Sequence, residues 1–403
     1  MSVGSGSVLR VQAREVRGGQ GHEHVRRAGH ARGQRPARAM RAARDRPPRW
    51  HRVHRSPRPA NPQGSDEGDP GIGVVRRRSA DRQDQSAPAI LAVAVTSLRL
   101  AFAGTPQVAV PALEALLASQ HEVVAVLTKP DAPAGRGRAL QPSAVASVAR
   151  DLGLDVHTPE RLDAFADTLR EWDLDAVAVV AYGLLVPASL LDVPRTGWIN
   201  AHFSKLPRWR GAAPVQHAIA HGDATTAVTT FRIDSGLDTG PILLTSPEVA
   251  IGEREDAGQL LARLAPIGAE LLVDTMDALA AGVVRPTEQA SDGVLLAPRI
   301  DVADARIDWS RSAIDIDRAI RACTPAPGAW TTFAGERLRI GVPAAVTSSA
   351  PTEPGGIHVE GKKVLIATAD GSLELDQVQP AGKKQMPADA WIRGLRTGDR
   401  HVH

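Results

Sequence analysis

Apolar runs of strand length alternate with helical periodicity through the middle of the chain, from residue 98 to 298. The runs 98-LRLAFAG-104, 122-EVVAVLT-128, 174-LDAVAVVA-181 and 198-WINAH-202 are almost continuously apolar, and amphipathic stretches at 108–119 and 143–153 separate the first three. Strands with helices packed on both faces have such sequences, which are typical of a parallel sheet. The pattern predicts a Rossmann-like α/β domain whose ligands bind at the carboxyl ends of the strands.

The pattern changes after residue 298. A helical stretch at 312–325 is followed by short runs with alternating apolar positions. Two of these runs flank Asp370 and Gly371, and an Asp-Gly pair between alternating strands indicates a hairpin. Several short antiparallel strands joined by polar turns predict a small β-barrel over 299–403.

The first 97 residues show neither helical nor strand periodicity. They contain 19 arginines and no lysine against 8 acidic residues, with few large apolar side chains. Such a segment cannot bury enough surface to offset its ordering entropy, so we predict a disordered extension over 1–97. Arginine-rich tails bind nucleic acid through phosphates. Because the globular pattern begins abruptly at Leu98, we instead hypothesise that residues 1 to about 94 are untranslated or dispensable, and we assign them no role.

Composition excludes several classes of protein. The single cysteine, Cys323, rules out an internal disulfide and suits a reducing compartment, so we expect a cytoplasmic location. The longest apolar run, 86–104, is interrupted by Thr96, Ser97 and Arg99 and is too short and polar to span a bilayer. The chain has no GxGxxG, P-loop or HExxH motif, so we predict neither a dinucleotide site nor a metal.

Candidate chemistry lies at the end of the fourth apolar run. Asn200 and His202 are two residues apart on a strand and face the same way. An amide and a protonated imidazole form a candidate oxyanion site, although a histidine at a strand end is more often structural. Asp238 lies downstream between Gly236 and Gly240, where it is either the carboxylate that orients the imidazole or an ordinary turn residue.

The motifs carrying these residues resemble those of the folate-dependent formyltransferases. The paired signatures are 200-NAHFSKLPRWRGAAP-214 and 236-GLDTG-240. Further matches are 102-FAGTPQVAVPALEAL-116, 129-KPDAPAGRGRALQPSAV-145, 180-VAYGLLVP-187, 306-RIDWS-310, 320-IRACTPAPGAW-330 and 379-QPAGKKQM-386. The resemblance runs from about residue 98 almost to the C-terminus. It implies transfer of the formyl group of 10-formyltetrahydrofolate to the α-amine of methionine on initiator tRNA, by an α/β domain followed by an OB-like barrel that binds tRNA.

The resemblance also implies roles for individual residues. Asn200, His202 and Asp238 would be catalytic, with Asp238 keeping His202 charged. The folate-contact segment would be Ser204, Lys205, Leu206 and Pro207. Lys205 departs from the family, which usually has an apolar residue there. It would either pair with the glutamate tail of the folate or point outward.

Two groups of basic residues would contact the tRNA. Arg136 and Arg138 lie in the loop that matches the tRNA-contacting loop of the family, which would order only when RNA binds. The C-terminal part has 14 basic and 13 acidic residues, so only a local stripe could bind phosphates; its candidates are Lys362, Lys363, Lys383 and Lys384.

Two other interpretations remain open. The same trio serves formyltransferases that act on purine precursors or amino-sugars and hydrolases of formyl-folate, and the chain could instead be an RNA-binding protein without catalysis. We expect a monomer that does not bind a membrane.

Overall fold

The computed structural model describes residues 97–134, 139–349, 352–395, 398 and 400–403. The predicted disordered extension therefore lies outside the described residues except for Ser97. The first eleven strands are β1 (Arg99–Gly104), β2 (Glu122–Leu127), β3 (Ala132–Ala134), β4 (Ala139–Gln141), β5 (Val156–His157), β6 (Ala176–Val180), β7 (Trp198–His202), β8 (Thr225–Thr226), β9 (Thr229–Arg232), β10 (Ile242–Thr245) and β11 (Val249–Ala250). The helices among them are α1 (Val110–Ala118), α2 (Ala144–Asp151), α3 (Ala166–Glu171), α4 (Pro214–His221) and α5 (Ala257–Ala280), with 3-10 turns at Gln107–Ala109, Asp163–Phe165 and Ala188–Leu190.

Seven of these strands form one sheet in the order β10-β9-β7-β6-β1-β2-β5. The pairs among β5, β2, β1, β6 and β7 are parallel, as predicted, whereas β9 and β10 add an antiparallel edge. From β1 the chain first builds outward through β2 to β5 and then returns to the other side of β1 to add β6. The strand order therefore reverses between β1 and β6, and a crevice at such a reversal is the usual ligand site of the fold.

Apolar side chains cover the sheet on both faces. Along β1, Leu100 and Phe102 pack in the core that contains α1 and α5, while Ala101 and Ala103 pack in the core on the other face. The 24-residue helix α5 begins with a capping box, in which Asp256 and Gln259 satisfy each other's backbone N–H groups. Doubly covered strands explain the continuous apolar runs, so the predicted α/β sandwich is confirmed.

The C-terminal part consists of helix α6 (Ala313–Ala322), eight strands and helix α7 (Ala388–Arg393). The strands are β12 (Trp330–Phe333), β13 (Glu336–Ile340), β14 (Ala345–Thr347), β15 (Ile357–Glu360), β16 (Lys363–Ala367), β17 (Ser372–Leu375), β18 (Gln377–Pro380) and β19 (Met386–Pro387). They form two antiparallel four-stranded sheets, β12-β13-β18-β19 and β14-β17-β16-β15, around a shared core. The predicted hairpin at Asp370 and Gly371 joins β16 to β17, so the predicted small antiparallel domain is confirmed.

An ion-pair network joins the two parts. The carboxylate of Asp317 on α6 is almost fully buried and accepts from Arg254, which precedes α5, at 2.8 Å and from Arg321 at 2.8 Å. Arg321 also donates to the carbonyl of Glu255. None of the helices in the described ranges is long and apolar enough to cross a membrane.

Candidate active site

The candidate site lies where β1, β6 and β7 end. The hydroxyl of Thr105, just after β1, donates to the carbonyl of Tyr182, just after β6, at 2.7 Å. On β7, Asn200 pairs in register with Val179 of β6 and with Phe231 of β9. Asn200 is half-buried, and no other described residue forms a hydrogen bond with its side-chain amide. An unengaged amide at the ligand edge of the sheet is suited to bind a carbonyl oxygen of a ligand.

His202 ends β7 and is buried, with a relative exposure of 5%. Its Nε2 donates to the carbonyl oxygen of Trp209 at 2.8 Å, and its ring meets Phe231 edge-on. Because a carbonyl only accepts, this bond places the ring proton on Nε2 in the neutral tautomer. The lone pair of Nδ1 is then available for a proton.

The carbonyl of Trp209 is held in place by its own side chain. Trp209 has a φ of 66°, a left-handed conformation that a large residue adopts only when its surroundings require it. Its indole Nε1 donates to Asp223 at 2.7 Å, and Asp223 also accepts twice from Arg208. Burial raises the pKa of Asp223, but these hydrogen bonds outweigh it and lower the pKa, so this carboxylate stays charged at neutral pH.

Asp238 approaches the imidazole from the loop between β9 and β10. Its Oδ2 lies 3.7 Å from Nδ1 of His202 and accepts from the backbone N–H of Gly211 at 2.8 Å. Asp238 has a φ of 51°, and the loop closes against the carbonyl of Arg232, where a Cβ on Gly240 would lie 1.8 Å away. Only glycine fits at 240, so the tight turn aims the carboxylate. The structure therefore brings the three predicted catalytic residues to one place.

Burial of the ring opposes the predicted protonation of His202, which stays a prediction. Burial lowers the pKa of His202 below its ordinary value, and this effect exceeds the opposing ones of the Asp238 charge and the Trp209 carbonyl. A distance of 3.7 Å is too long for a hydrogen bond, so Asp238 stabilises a charged ring through its negative charge alone. The lowered pKa favours the neutral imidazole, which would leave Nδ1 free to accept a proton.

A histidine NMR titration tests this protonation state. The Cε1–H resonance of His202, assigned by its loss in His202→Gln, should titrate with a midpoint below 6.5. Since Asp238 raises the pKa of His202, Asp238→Asn should move the midpoint lower still. The unfolded chain binds a proton on this residue as the pH falls below 6.5 while the folded chain does not, so stability should decline there. A midpoint at or above 6.5 would contradict the assignment.

Hydrogen bonds to neighbouring residues fix the backbone of the predicted folate segment, residues 204–207. The Ser204 hydroxyl donates to the carbonyl of Arg208, and Thr229 bridges the Ser204 carbonyl to the N–H of Leu206. Pro207 completes the turn before Arg208. Lys205 donates to Glu248 at 2.6 Å on the surface, which matches the outward orientation considered above. The folate contacts of the four residues remain predictions.

The residues predicted to bind tRNA are distributed over two regions. Arg136 and Arg138 lie outside the described residues, in the sequence between β3 and β4. Lys362, Lys383 and Lys384 are exposed in turns, and Lys363 pairs with Glu374 at 3.0 Å. One lysine of each doublet lies near α7: Lys362 is close enough to Asp389 to interact with its charge, and Lys383 lines a cavity with Ala390.

Sequence reasoning missed the backbone and side-chain groups that hold the trio. The carbonyl of Trp209 and the N–H of Gly211 belong to a recognised motif, but a backbone group has no signature of its own. Gln289 donates to the carbonyls of Asp238 and Gly240, both at 2.8 Å. It comes from the segment at 281–298, which has neither helical nor strand periodicity and gave no signal.

Two family models match the chain in tandem. Residues 98–276 match the formyl transferase model, and residues 299–396 match the model of the formyl transferase C-terminal domain. The chain belongs to the formyl transferase family. The predicted family is confirmed, and both matched segments of this formyltransferase fall within the α/β and antiparallel parts described above.

Curated relatives match this chain over nearly their full lengths. A methionyl-tRNA formyltransferase of Thermobifida fusca is 54% identical over 304 residues, which are 75% of this chain and 98% of the relative. One of the same name from Acidothermus cellulolyticus is also 54% identical, and covers 74% of this chain and 98% of its own. The formyltransferase therefore aligns with nearly the whole of each relative.

Solved structures share the fold at lower identity. HypX from Aquifex aeolicus in complex with tetrahydrofolic acid superposes with a TM-score of 0.53 at 15% identity, covering 74% of this chain and 47% of that one. An N-formyltransferase from Helicobacter canadensis in complex with folinic acid and dTDP-3-aminofucose has a TM-score of 0.53 at 20% identity, covering 70% and 99%. These matches show that the formyltransferase shares their fold.

Formyltransferases use a folate as formyl donor, and the residues at the sheet edge fit such a donor. The Asn200 amide has no partner among the described residues and offers the N–H that a formyl oxygen would accept. The same part of the chain contains no group of three or more His, Cys, Asp or Glu placed to hold a metal. Asn200, His202 and Asp238 do not line the cavities that border α7 and α5. The site is therefore identified by its side chains and by its position at the sheet edge, not by the depth of a cavity.

Proposed function

We propose that this protein transfers the formyl group of 10-formyltetrahydrofolate to the α-amino group of methionine on initiator tRNA. The observation that carries the proposal is the convergence of Asn200, His202 and Asp238, with Nδ1 of His202 and Oδ2 of Asp238 3.7 Å apart at the ligand edge of the sheet. The curated relatives named methionyl-tRNA formyltransferase support the choice of acceptor.

Asn200 would stabilise the charge that develops on the formyl oxygen. Attack by the amine nitrogen on the formyl carbon forms a C–N bond and moves an electron pair onto that oxygen. The side-chain N–H of Asn200 donates to it there. A donor that is already fixed by a strand needs no reorganisation when the charge appears, which is why such groups contribute strongly to catalysis.

His202, assisted by Asp238, would remove the proton from the amine. The α-amine must lose a proton, and the free Nδ1 of His202 accepts it because Nε2 is already bonded to Trp209. The imidazolium that forms is stabilised by the Asp238 carboxylate. When the bond between the formyl carbon and the donor nitrogen breaks, His202 returns a proton to that nitrogen. The donor leaves as tetrahydrofolate, and the ring is neutral again.

The segment at 204–207 would form part of the donor site because it follows β7 directly. Its hydrogen bonds to Thr229 and Arg208 fix the backbone before any ligand binds. We propose that Ser204, Leu206 and Pro207 contact the folate. Lys205, whose ammonium is already paired with Glu248, contributes less. The reaction belongs to translation initiation, which keeps the cytoplasm as the proposed location.

Residues 299–403 would bind the tRNA through the lysine stripe near α7, and Arg136 and Arg138 would contact the acceptor end. Lys362, Lys383 and Lys384 form no ion pair with a described residue, so their charges are available to phosphates. Lys363 is paired with Glu374 and is expected to contribute least.

Neutralising the stripe should weaken tRNA binding in a salt-dependent way. A variant with all four lysines changed to glutamine should bind initiator tRNA more weakly. The slope of log K against log salt should fall by about 1 for each phosphate that the protein no longer neutralises. Lys363→Gln alone is the matched control and should change the slope least. Salt-dependent binding that survives in the fourfold variant would exclude the stripe.

A comparison of acceptors tests the proposed function directly. The protein is incubated with 10-formyltetrahydrofolate and either charged initiator tRNA, glycinamide ribonucleotide or an amino-sugar nucleotide. Formylation of the tRNA alone is expected. Transfer to a different acceptor, or release of formate without any acceptor, would replace the proposal with another activity of the family. Binding of tRNA without transfer would indicate an RNA-binding protein.

A further inference from the structure

The segment that follows α5 contacts both catalytic loops. Thr287 pairs with Ile242 at the start of β10, next to the loop of Asp238. Farther along, the carbonyl of Leu295 accepts from the N–H of Arg210 at 2.9 Å, and the carbonyl of Arg210 accepts from Ala297 at 2.7 Å. One stretch of chain therefore pairs with the loop after β7 and with the strand after Asp238.

The side chain of Gln289 joins the two loops between those backbone pairings. Its Nε2 donates to the carbonyls of Asp238 and Gly240, both at 2.8 Å, and its Oε1 accepts from Nε of Arg210 at 3.0 Å. A primary amide has two N–H donors, and this geometry uses both. Arg210 immediately precedes Gly211, whose N–H binds the carboxylate of Asp238. The amide thus completes a closed set of hydrogen bonds around the catalytic carboxylate.

The backbone at these points is tightly constrained. Asp238 has a φ of 51° and Gly211 a φ of 126°, and a Cβ on Gly211 would lie 2.5 Å from the carbonyl of Ala297. Conformations of this kind persist when surrounding contacts hold them. Removing the shared amide would release the Asp238 carbonyl and allow the carboxylate to move relative to His202.

We propose that Gln289 is a positioning residue for formyl transfer, which holds Asp238 at its working distance from His202 by tying its loop to Arg210. Gln289 itself bonds backbone carbonyls and a guanidinium, and it acts on the reaction only through Asp238. The proposal rests on the proposed function and extends it, because it places a requirement for catalysis in the segment that leads to the C-terminal part.

Gln289→Met tests the proposal, because methionine keeps the length of the side chain and removes every hydrogen bond. A displacement of about 1 Å in a catalytic group can cost about 10²-fold in rate, so we expect kcat to fall by up to about that factor. KM for 10-formyltetrahydrofolate and the dissociation constant for initiator tRNA should not change. Amide hydrogen exchange should become faster at 234–240 and stay unchanged in β6 and β7.

Two further variants separate positioning from stability. Gln289→Asn, with an amide one methylene shorter, should give an intermediate kcat. Glu288→Gln changes the exposed neighbouring side chain and should behave as the wild type in every assay. The asparagine variant keeps the test available if the methionine variant does not fold.

The outcomes are distinct. Wild-type kcat in a folded Gln289→Met protein would overturn the proposal. The same holds if the variant shows only a higher KM and a lower unfolding temperature, with kcat unchanged. If the wild type transfers no formyl group to any acceptor, the proposed function fails. Unchanged hydrogen exchange at 234–240 would still overturn the positioning role by itself.

Discussion

Asn200→Ala should lower kcat for formylation of methionyl initiator tRNA by about 10²–10³-fold, the usual cost of losing one preorganised oxyanion donor. KM for the donor should change little, because the hydrogen bond to the formyl oxygen strengthens only as charge develops. The measurement is steady-state kinetics at saturating tRNA. Single-turnover kinetics would confirm that the loss falls on the chemical step.

The control for this substitution is Asn200→Asp, which keeps the shape of the side chain and removes the donor. It should lose at least as much activity, because a carboxylate repels the developing oxyanion. Both proteins should unfold near the wild-type temperature, since the Asn200 amide bonds no other described residue. Turnover close to wild type in either variant would remove Asn200 from the mechanism.

Asp238→Asn should lower kcat by about 10²–10⁴-fold, the range over which general acid–base groups contribute. The asparagine oxygen can still accept from the N–H of Gly211, so the loop should keep its shape. The substitution removes the negative charge that, in the proposed mechanism, stabilises the imidazolium of His202 once it has taken the proton of the amine. Affinity for initiator tRNA should be unchanged, as measured by filter binding.

Asp292→Asn is the matched control for this substitution. Asp292 is an exposed carboxylate in the segment at 281–298 and forms no ion pair with another described residue. Its variant should retain the wild-type kcat. A kcat close to that of the wild type in Asp238→Asn would mean that His202 takes up the proton without help from a carboxylate, and would remove Asp238 from the mechanism.

The main features of the fold were predictable because they depend on local patterns. Doubly buried strands need continuous apolar residues, as in β6, and the turn at Asp370 and Gly371 has few alternatives. The antiparallel edge formed by β9 and β10 was not foreseen. Strand direction depends on how the chain returns after α4, and the side chains of the strand itself do not specify it.

The proximity of the three candidate residues was predictable, but their electrostatics was not. Strand periodicity places Asn200 and His202 on one face, and the glycines around Asp238 indicate a tight loop. The lowered pKa of His202 follows from burial, and the place of its ring proton follows from a carbonyl seven residues away; no spacing of side chains reveals either. Glu248, the partner of Lys205, lies 43 residues downstream, so the orientation of that lysine also required the three-dimensional structure.

The pairing of the 281–298 segment with both loops sets a minimum length for an autonomous catalytic fragment. A fragment ending at residue 276, where the first family match stops, would keep Asn200, His202 and Asp238 together with the complete seven-stranded sheet. It would lack the backbone partners of Ile242 and Arg210, and it would lack Gln289, whose side-chain amide donates to the carbonyl of Asp238. A catalytic fragment of this chain that keeps these hydrogen bonds therefore has to extend at least to Ala297.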